Sequence, residues 1–183
     1  MHFPTTALVA LMQPTSGAGD VAVALVGNDG MLGVAAFMGA FSESGRAVVL
    51  HPGAAWRLPT SALTADGPDS AQVTQVVLGY LQALTTQMSQ TALCQRLHSV
   101  EQRLCRWLLM AFDRVPDDSL AMDLDDLTAL LGVPVDALAG ATAQLVGMGV
   151  LACEPGRLRL LDRNALQARA CECHTLTQSS RGM

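Results

Sequence analysis

Between Phe3 and about Leu63 the apolar residues come in short, partly alternating runs separated by turn-forming clusters: FPTTALVALMQ, PTSGAG, DVAVALVG, the turn NDG, a glycine-containing apolar segment, then RAVVL, HPG and AAWRLP. Runs of this length, punctuated by Gly, Pro, Asn and Asp, predict strands of a small antiparallel sheet or part of a barrel. Beyond ADGPDS the period changes. From Ala71 to Leu97 there is no Pro, Gly79 is the single Gly, and apolar residues fall at Val73, Val77, Tyr80, Leu84, Met88 and Ala92. That spacing describes one face of a continuous helix roughly six turns long. Such a face needs cover from the sheet, from its copy in a second subunit, or from both. Because the sheet is small and Val76, Leu81 and Leu93 add a further apolar face, a dimer interface is expected at Val73, Val77, Tyr80, Leu84 and Met88.

A second helix follows in HSVEQRLCRWLLMAFDRV, where Ser99 and Gln102 stand at capping-box positions and Val100, Leu104, Trp107, Leu108 and Phe112 repeat at helical spacing. Pro116 and Asp117-Asp118 end it. Two shorter stripes come next, Leu124, Leu127, Leu130 and Leu131, then Leu138, Ala141, Thr142, Leu145 and Met148, with Gly132 at the corner between them. A hairpin-like VLACEPGRLRLLD closes the pattern. Two helices around a Gly turn and a hairpin outline a winged helix-turn-helix, although an αα-hairpin without a DNA role carries the same stripes.

Composition narrows the function classes. The chain has 183 residues, is 50% hydrophobic and 15% charged, which suffices for one large or two small cored domains. No apolar run approaches the roughly 20 residues of a bilayer span, and MHFPTTALVALMQ lacks a basic leader, so neither membrane helix nor signal peptide is expected. The five cysteines, at 94, 105, 153, 171 and 173, form no CxxC pair and fit a reducing cytoplasm better than a disulfide framework. Cys171-Glu172-Cys173-His174 invites a metal reading, but the expectation is a helix end with idle thiols and no metal, since the sequence reads with no second ligand pair at finger-like spacing. Enzyme motifs are lacking: there is no GxSxG, P-loop, HExxH or GxGxxG, and His2, His51, His98 and His174 stand in no nucleophile context. Asp125 and Asp126, adjacent on a helix, point about 100° apart and suit a helix N-terminus better than a shared acid-base site.

Two longer motifs carry a resemblance. HSVEQRLCRWLL, from His98 to Leu109, and LDRNALQARACEC, from Leu161 to Cys173, resemble the HSxEQRLCRWLL and LDRxxLxxxACEC segments of one branch of the Crp/Fnr superfamily of bacterial transcription regulators; FPTTALVAL, VGNDGMLGVAAFMG, RAVV and RLP extend the likeness from Phe3 to His174. The resemblance implies an α+β fold: a cyclic-nucleotide-binding-like antiparallel β-roll over 1–68, a long dimerisation helix over 69–97, a winged helix-turn-helix over 98–174, and a flexible tail over 175–183. Relatives carry further strands before FPTTALVAL, so the roll is expected to be partial, through a mis-assigned start or a natural truncation. Gly33 and Arg46 match parts of the family's nucleotide cassette, but the position of its ribose-binding Glu holds Val34. An unpaired ribose hydroxyl would cost roughly 1–3 kcal/mol, so no cyclic nucleotide and no other cofactor is expected.

The probing helix raises the sharpest question. Where the branch usually places one or two Arg, then Ser or Gly and Thr, this chain has VPVDALA, and between Arg114 and Arg157 it has seven acids and no base. Residues 115–183 carry five Arg against nine acids, net −4, and residues 1–114 six against seven, net −1. The expected DNA-facing residues are Val135, Asp136 and Ala139 on the helix, and Arg157, Arg159 and Arg163 on or near the wing, where two alternating arginines share one strand face. Two readings follow. The first is a cytoplasmic homodimeric regulator with weak or atypical contacts to double-stranded DNA. The second is a non-DNA-binding paralogue acting through mixed dimers with an intact relative. The resemblance favours the first, charge placement the second.

Overall fold

A computed structural model of the chain describes residues 1–16, 19–39, 45–65 and 67–179. The elements are β1 (His2–Pro4), β2 (Leu8–Pro14), β3 (Asp20–Val26), α1 (Val34–Phe37), β4 (Arg46–His51), β5 (Ala55–Arg57), α2 (Thr60–Thr64), α3 (Ser70–Leu97), α4 (Val100–Phe112), β6 (Ser119–Leu120), α5 (Leu124–Leu131), α6 (Val135–Gly147), β7 (Leu151–Glu154), β8 (Arg157–Leu160), α7 (Arg163–Arg169) and α8 (Cys173–Ser179). The mixed architecture expected from the sequence forms: antiparallel strands, one long helix, then a helical half with a small sheet.

In the N-terminal half β1 pairs with β5, and β2 lies between β3 and β4 in a three-stranded antiparallel sheet. Its two faces are used differently, as the alternation of side chains on a strand allows. Leu8 and Ala10 join a core built mostly by the C-terminal half, whereas Leu11 and Gln13 line a cavity of about 350 Å³ beneath α3. The glycine-containing segment after NDG forms the short helix α1 instead of another strand. It starts at Gly33, whose φ of 80° lies in the left-handed region that glycine enters without steric cost. Residues 40 and 41, which complete the MLGVAAFMGAF run, lie outside the described residues.

Helix α3 covers this half. Gln87, buried in its middle, accepts from the Leu25 amide at 2.7 Å and donates to the Leu25 carbonyl at 3.1 Å. One side-chain amide therefore satisfies both backbone groups of an edge-strand residue that would otherwise be buried without a ladder partner.

The stripe expected at a dimer interface lies partly against the chain's own N-terminal half. Val77 is 3% exposed, clustered with Met1, Met31 and Val34, and Tyr80 packs against the same cluster. Val73, half-buried, lines a hollow with Phe3, Met31 and Leu63, and Leu84 and Met88 line the cavity. Val77 is the buried member of the stripe, and Val73, Tyr80, Leu84 and Met88 stay half-buried. The apolar residues that α3 turns outward are Val76, Leu78, Leu93 and Leu97.

In the C-terminal half α4 is buried nearly all round, from Leu104 to Phe112. Ser99 and Gln102 form the expected capping box, with the Gln102 amide donating to Ser99 Oγ at 3.3 Å and the Ser99 amide to Gln102 Oε1 at 3.1 Å. Around it pack α5, α6, α7 and the antiparallel sheet β6-β8-β7. Residues 173–179 form a helix where a flexible tail was expected from 175. Thr177 is buried there and donates to the Cys173 carbonyl, so packing extends past the last recognisable motif. No helix among the described residues is long and apolar enough to cross a membrane.

Candidate nucleic-acid interface

The helix-turn-helix corner is built by local rules. Asp123 caps α5, accepting from the amides of Asp125 at 3.0 Å and Asp126 at 3.1 Å, while Asp126 accepts from the Asp123 amide at 3.0 Å. The two acids that look like paired carboxylates in the sequence are thus first-turn residues of a capped helix. Gly132 ends α5 at φ 58°, and a Cβ there would meet Val21 Cγ2 of β3 at 3.0 Å. The corner therefore needs glycine both for its backbone and for its approach to the N-terminal sheet.

Helix α6 starts after Pro134 without a side-chain cap, so no N-cap side chain takes up its first amides. Leu138, Ala141, Thr142 and Leu145 are buried as the stripe predicts; Met148 is not, because it lies past the last helical residue and faces solvent. Val135, Asp136 and Ala139 are exposed on the outer face. Asp136 and Gln144 are the polar side chains on that face among residues 135–147, and no basic residue accompanies them.

The wing supplies the positive groups. On β8, Leu158 and Leu160 point into the core while Arg157 and Arg159 share the exposed face. Arg159 lies 3.8 Å from Glu154 across the hairpin, both half-exposed, a pairing worth about 0–1 kcal/mol that an incoming phosphate displaces easily. Arg163 is placed differently. Its guanidinium is bound to Asp113, which also meets His174 Nε2 at 3.1 Å and accepts from Gln178 Nε2 at 2.9 Å. Burial pushes the Asp113 carboxyl up, but hydrogen bonds from His174 and Gln178 and the charge of Arg163 outweigh it and bring it down to about 2. Arg163 holds α7 to the end of α4 in place of standing free beside the wing.

Gly33 and Arg46, expected to share a ligand pocket, do line one cavity, the apolar chamber under α3. Arg46 is the charged residue of its described lining, and it reaches away to Asp20 at 2.5 Å with most of its side chain in solvent. Val34, at the family's Glu position, is buried against Met31 and Val77. The described chamber offers no acceptor for a ribose hydroxyl from that position.

Sequence reasoning missed one constellation. Cys94 on the last turn of α3, His98 at its C-cap, and Cys171 and Cys173 before and in α8 converge, with one donor atom from each lying within 4.8 Å of the others. The sequence shows no second ligand pair for Cys171 and Cys173, whereas the fold places Cys94 and His98 beside them. The available signal is the C-x3-H spacing of Cys94 and His98 at one helix end, which reads in the sequence only as part of a helix face. Cys105, though buried, is not part of the group, and Cys153 is exposed on the wing.

The comparisons agree with this architecture. No protein-family model and no curated relative matches the chain. Among solved structures it is similar to a CRP-family transcriptional regulator from Thermus thermophilus, with a TM-score of 0.74 at 15% identity over 92% of this chain and 86% of that one. A CRP/FNR-family regulator from the same organism gives 0.69 at 17%, again over 92% and 86%. FixK2 from Bradyrhizobium japonicum gives 0.64 at 16%, over 93% and 86%. The chain therefore has the fold of the Crp/Fnr-family transcriptional regulators.

Proposed function

We propose that the protein is a Crp/Fnr-type transcription regulator that docks on double-stranded DNA as a homodimer, gripping phosphates through Arg157 and Arg159, without a cyclic-nucleotide ligand and without enzymatic activity. The observation that carries this reading is the pair of solvent-facing arginines on β8, in the same C-terminal half as the uncapped N-terminus of α6. Backbone amides at a helix start and cations on a wing are donors of the kind that position a protein on a phosphate backbone. Within the groove, Val135 and Ala139 offer apolar contacts to thymine methyls, and Asp136 repels phosphate. No arginine on α6 reaches guanine, the commonest specific contact. The outward face of α3, with Val76, Leu78, Leu93 and Leu97, is the proposed interface between the two copies.

A salt-titrated shift assay on random duplex DNA tests this. Two arginines per protomer, four per dimer, give a log-log slope of about −3.6, from about −0.9 per neutralised phosphate. Arg157→Ala with Arg159→Ala flattens that slope, while Arg163→Ala leaves most of it. Unchanged binding by the double variant would reject the wing as the docking surface. Absence of binding even at low salt favours the second reading, a partner of an intact relative in mixed dimers, for which the net charge of −4 over residues 115–183 speaks.

A further inference from the structure

The group at the end of α3 has the donor set of a four-coordinate metal centre. Cys94 Sγ lies 3.5 Å from Cys171 Sγ, and Cys173 Sγ 3.7 Å from His98 Nδ1. An ion held about 2.3 Å from thiolates and about 2.0–2.1 Å from an imidazole spaces its ligand atoms by roughly 3.5–3.8 Å in a tetrahedron. Those two pairs already stand at such separations, and all four donors lie within 4.8 Å of one another. Three of them, the cysteines, are buried, and His98 is half-buried.

Two neighbours fit the same purpose. His98 Nε2 lies 3.3 Å from Glu172 Oε1, so the carboxylate takes the proton-bearing nitrogen and leaves Nδ1 as a lone-pair donor toward the thiols. That is how histidines bound to metals are usually oriented. Arg106 is 2% exposed on the adjoining α4 and lines the same crevice as Cys94. Its guanidinium meets only the hydroxyls of Thr91, at 3.3 and 3.4 Å, and Thr177, at 3.4 Å, its Nε has no partner, and no carboxylate pairs with it among the described residues. A buried cation without an anion is strongly unfavourable. A divalent ion with three thiolates and one neutral imidazole carries a net charge of −1, the charge that Arg106 lacks.

We propose that Cys94, His98, Cys171 and Cys173 bind one thiophilic divalent cation of the zinc type. The donors come from the end of α3, the elbow before α4 and the start of α8, so the ion ties the C-terminal helix to the joint between the long helix and the DNA-facing half. Four protein donors around one ion leave no open position for substrate, which makes the centre structural. A cluster of several irons is disfavoured because its protein ligands sit on separate metal ions, not around one point. The site does not depend on the DNA-binding reading.

The test uses the full chain, purified with reduced thiols and without chelator, and its metal content by plasma mass spectrometry. About one zinc per chain is expected in the natural chain and in Cys153→Ser, falling below about a tenth in Cys94→Ser and Cys173→Ser, with His98→Cys retaining the ion because four thiolates also suit zinc. Where the serine variants fail to fold, the natural chain decides: stripped of metal and titrated with Co2+, it develops the intense visible bands of a tetrahedral thiolate site. A reduced chain that carries no stoichiometric metal and takes up neither Zn2+ nor Co2+ overturns the proposal. So does freshly isolated protein that has lost two thiols and two hydrogens, the mark of a Cys94–Cys171 disulfide in place of a metal.

Discussion

Arg114 clasps the two halves of the molecule, and its removal has a calculable cost. It follows the end of α4 with 1% of its side chain exposed, while Asp29, in the turn after β3, is 21% exposed. Nε donates to Asp29 Oδ1 at 3.0 Å, a terminal nitrogen lies 2.9 Å from Oδ2, and the other donates to the Met110 carbonyl at 2.8 Å. Gly27 lets the stem in, since a Cβ there would lie 2.7 Å from the Cβ of Arg114. Arg114→Met keeps the stem and deletes the fork. Breaking a buried pair from one side costs about 3–5 kcal/mol, and water reaching Asp29 recovers part of it, leaving about 2–3 kcal/mol. For a chain of this size that is a fall in Tm of roughly 4–12 °C. Asp29→Asn retains one acceptor and costs about 1–2 kcal/mol, as a charged hydrogen bond becomes a neutral one. Urea denaturation of the natural chain, both single variants and the double variant at fixed salt completes the cycle. The coupling expected is about 1–2 kcal/mol; additivity within about 0.5 kcal/mol refutes the clasp, because only interacting residues depart from additivity.

Two further outcomes are expected. Asp113, held down at about 2 in the folded chain, contributes stability that is present above the ordinary carboxylate range and is lost as pH falls through the folded value. The advantage of the natural chain over Asp113→Asn, about 1–2 kcal/mol near pH 6, therefore shrinks between about pH 5 and pH 2 in denaturant titrations; an advantage that stays constant with pH contradicts the role given to the His174, Gln178 and Arg163 contacts. Gly132→Ala combines a left-handed backbone with a 3.0 Å approach to Val21 and costs about 1–3 kcal/mol in the same assay, so an unchanged midpoint would reject the corner geometry.

Much of the fold is legible in the sequence because periodicity reports burial. The helix read from Ala71 to Leu97 forms as Ser70–Leu97, Ser99 and Gln102 cap α4 as their spacing requires, and the stripes on α5 and α6 face the core. Periodicity does not report what covers a buried face. The stripe from Val73 to Met88 reads as a surface for a second subunit, and periodicity alone does not show that Met1, Met31 and Val34 of the same chain cover it at Val77. The two-residue strand β6 and the last helix carry too few residues to show a period at all. Arg163 reads as a wing cation because its partner, Asp113, lies 50 residues earlier. The four-donor cluster is divided the same way, with 77 residues between Cys94 and Cys171. Each half alone is a commonplace helix end, and only the fold brings them to one point.

The contrast between the two faces of α6 explains how such a fold persists with so little charge on its probe. Leu138, Ala141, Thr142 and Leu145 hold the helix against the core, and each large apolar side chain contributes about 1.5–3 kcal/mol by leaving water. None of them faces outward. Val135, Asp136 and Ala139 contribute almost nothing to that packing, so their chemistry is set by what the surface meets and not by folding. On the proposed DNA-bound homodimer, four wing arginines would compare with the roughly 6–10 phosphate contacts that give a typical regulator its steep salt dependence. Binding by this chain would then be correspondingly weaker and its slope shallower, and discrimination between sequences would have to come from methyl contacts and from the cost of deforming the duplex. Restoring one arginine at Ala139 tests whether the helix is still aimed at the groove. It steepens the slope by about 1.8 per dimer if the outer face meets phosphate, and leaves it unchanged if α6 has ceased to approach DNA.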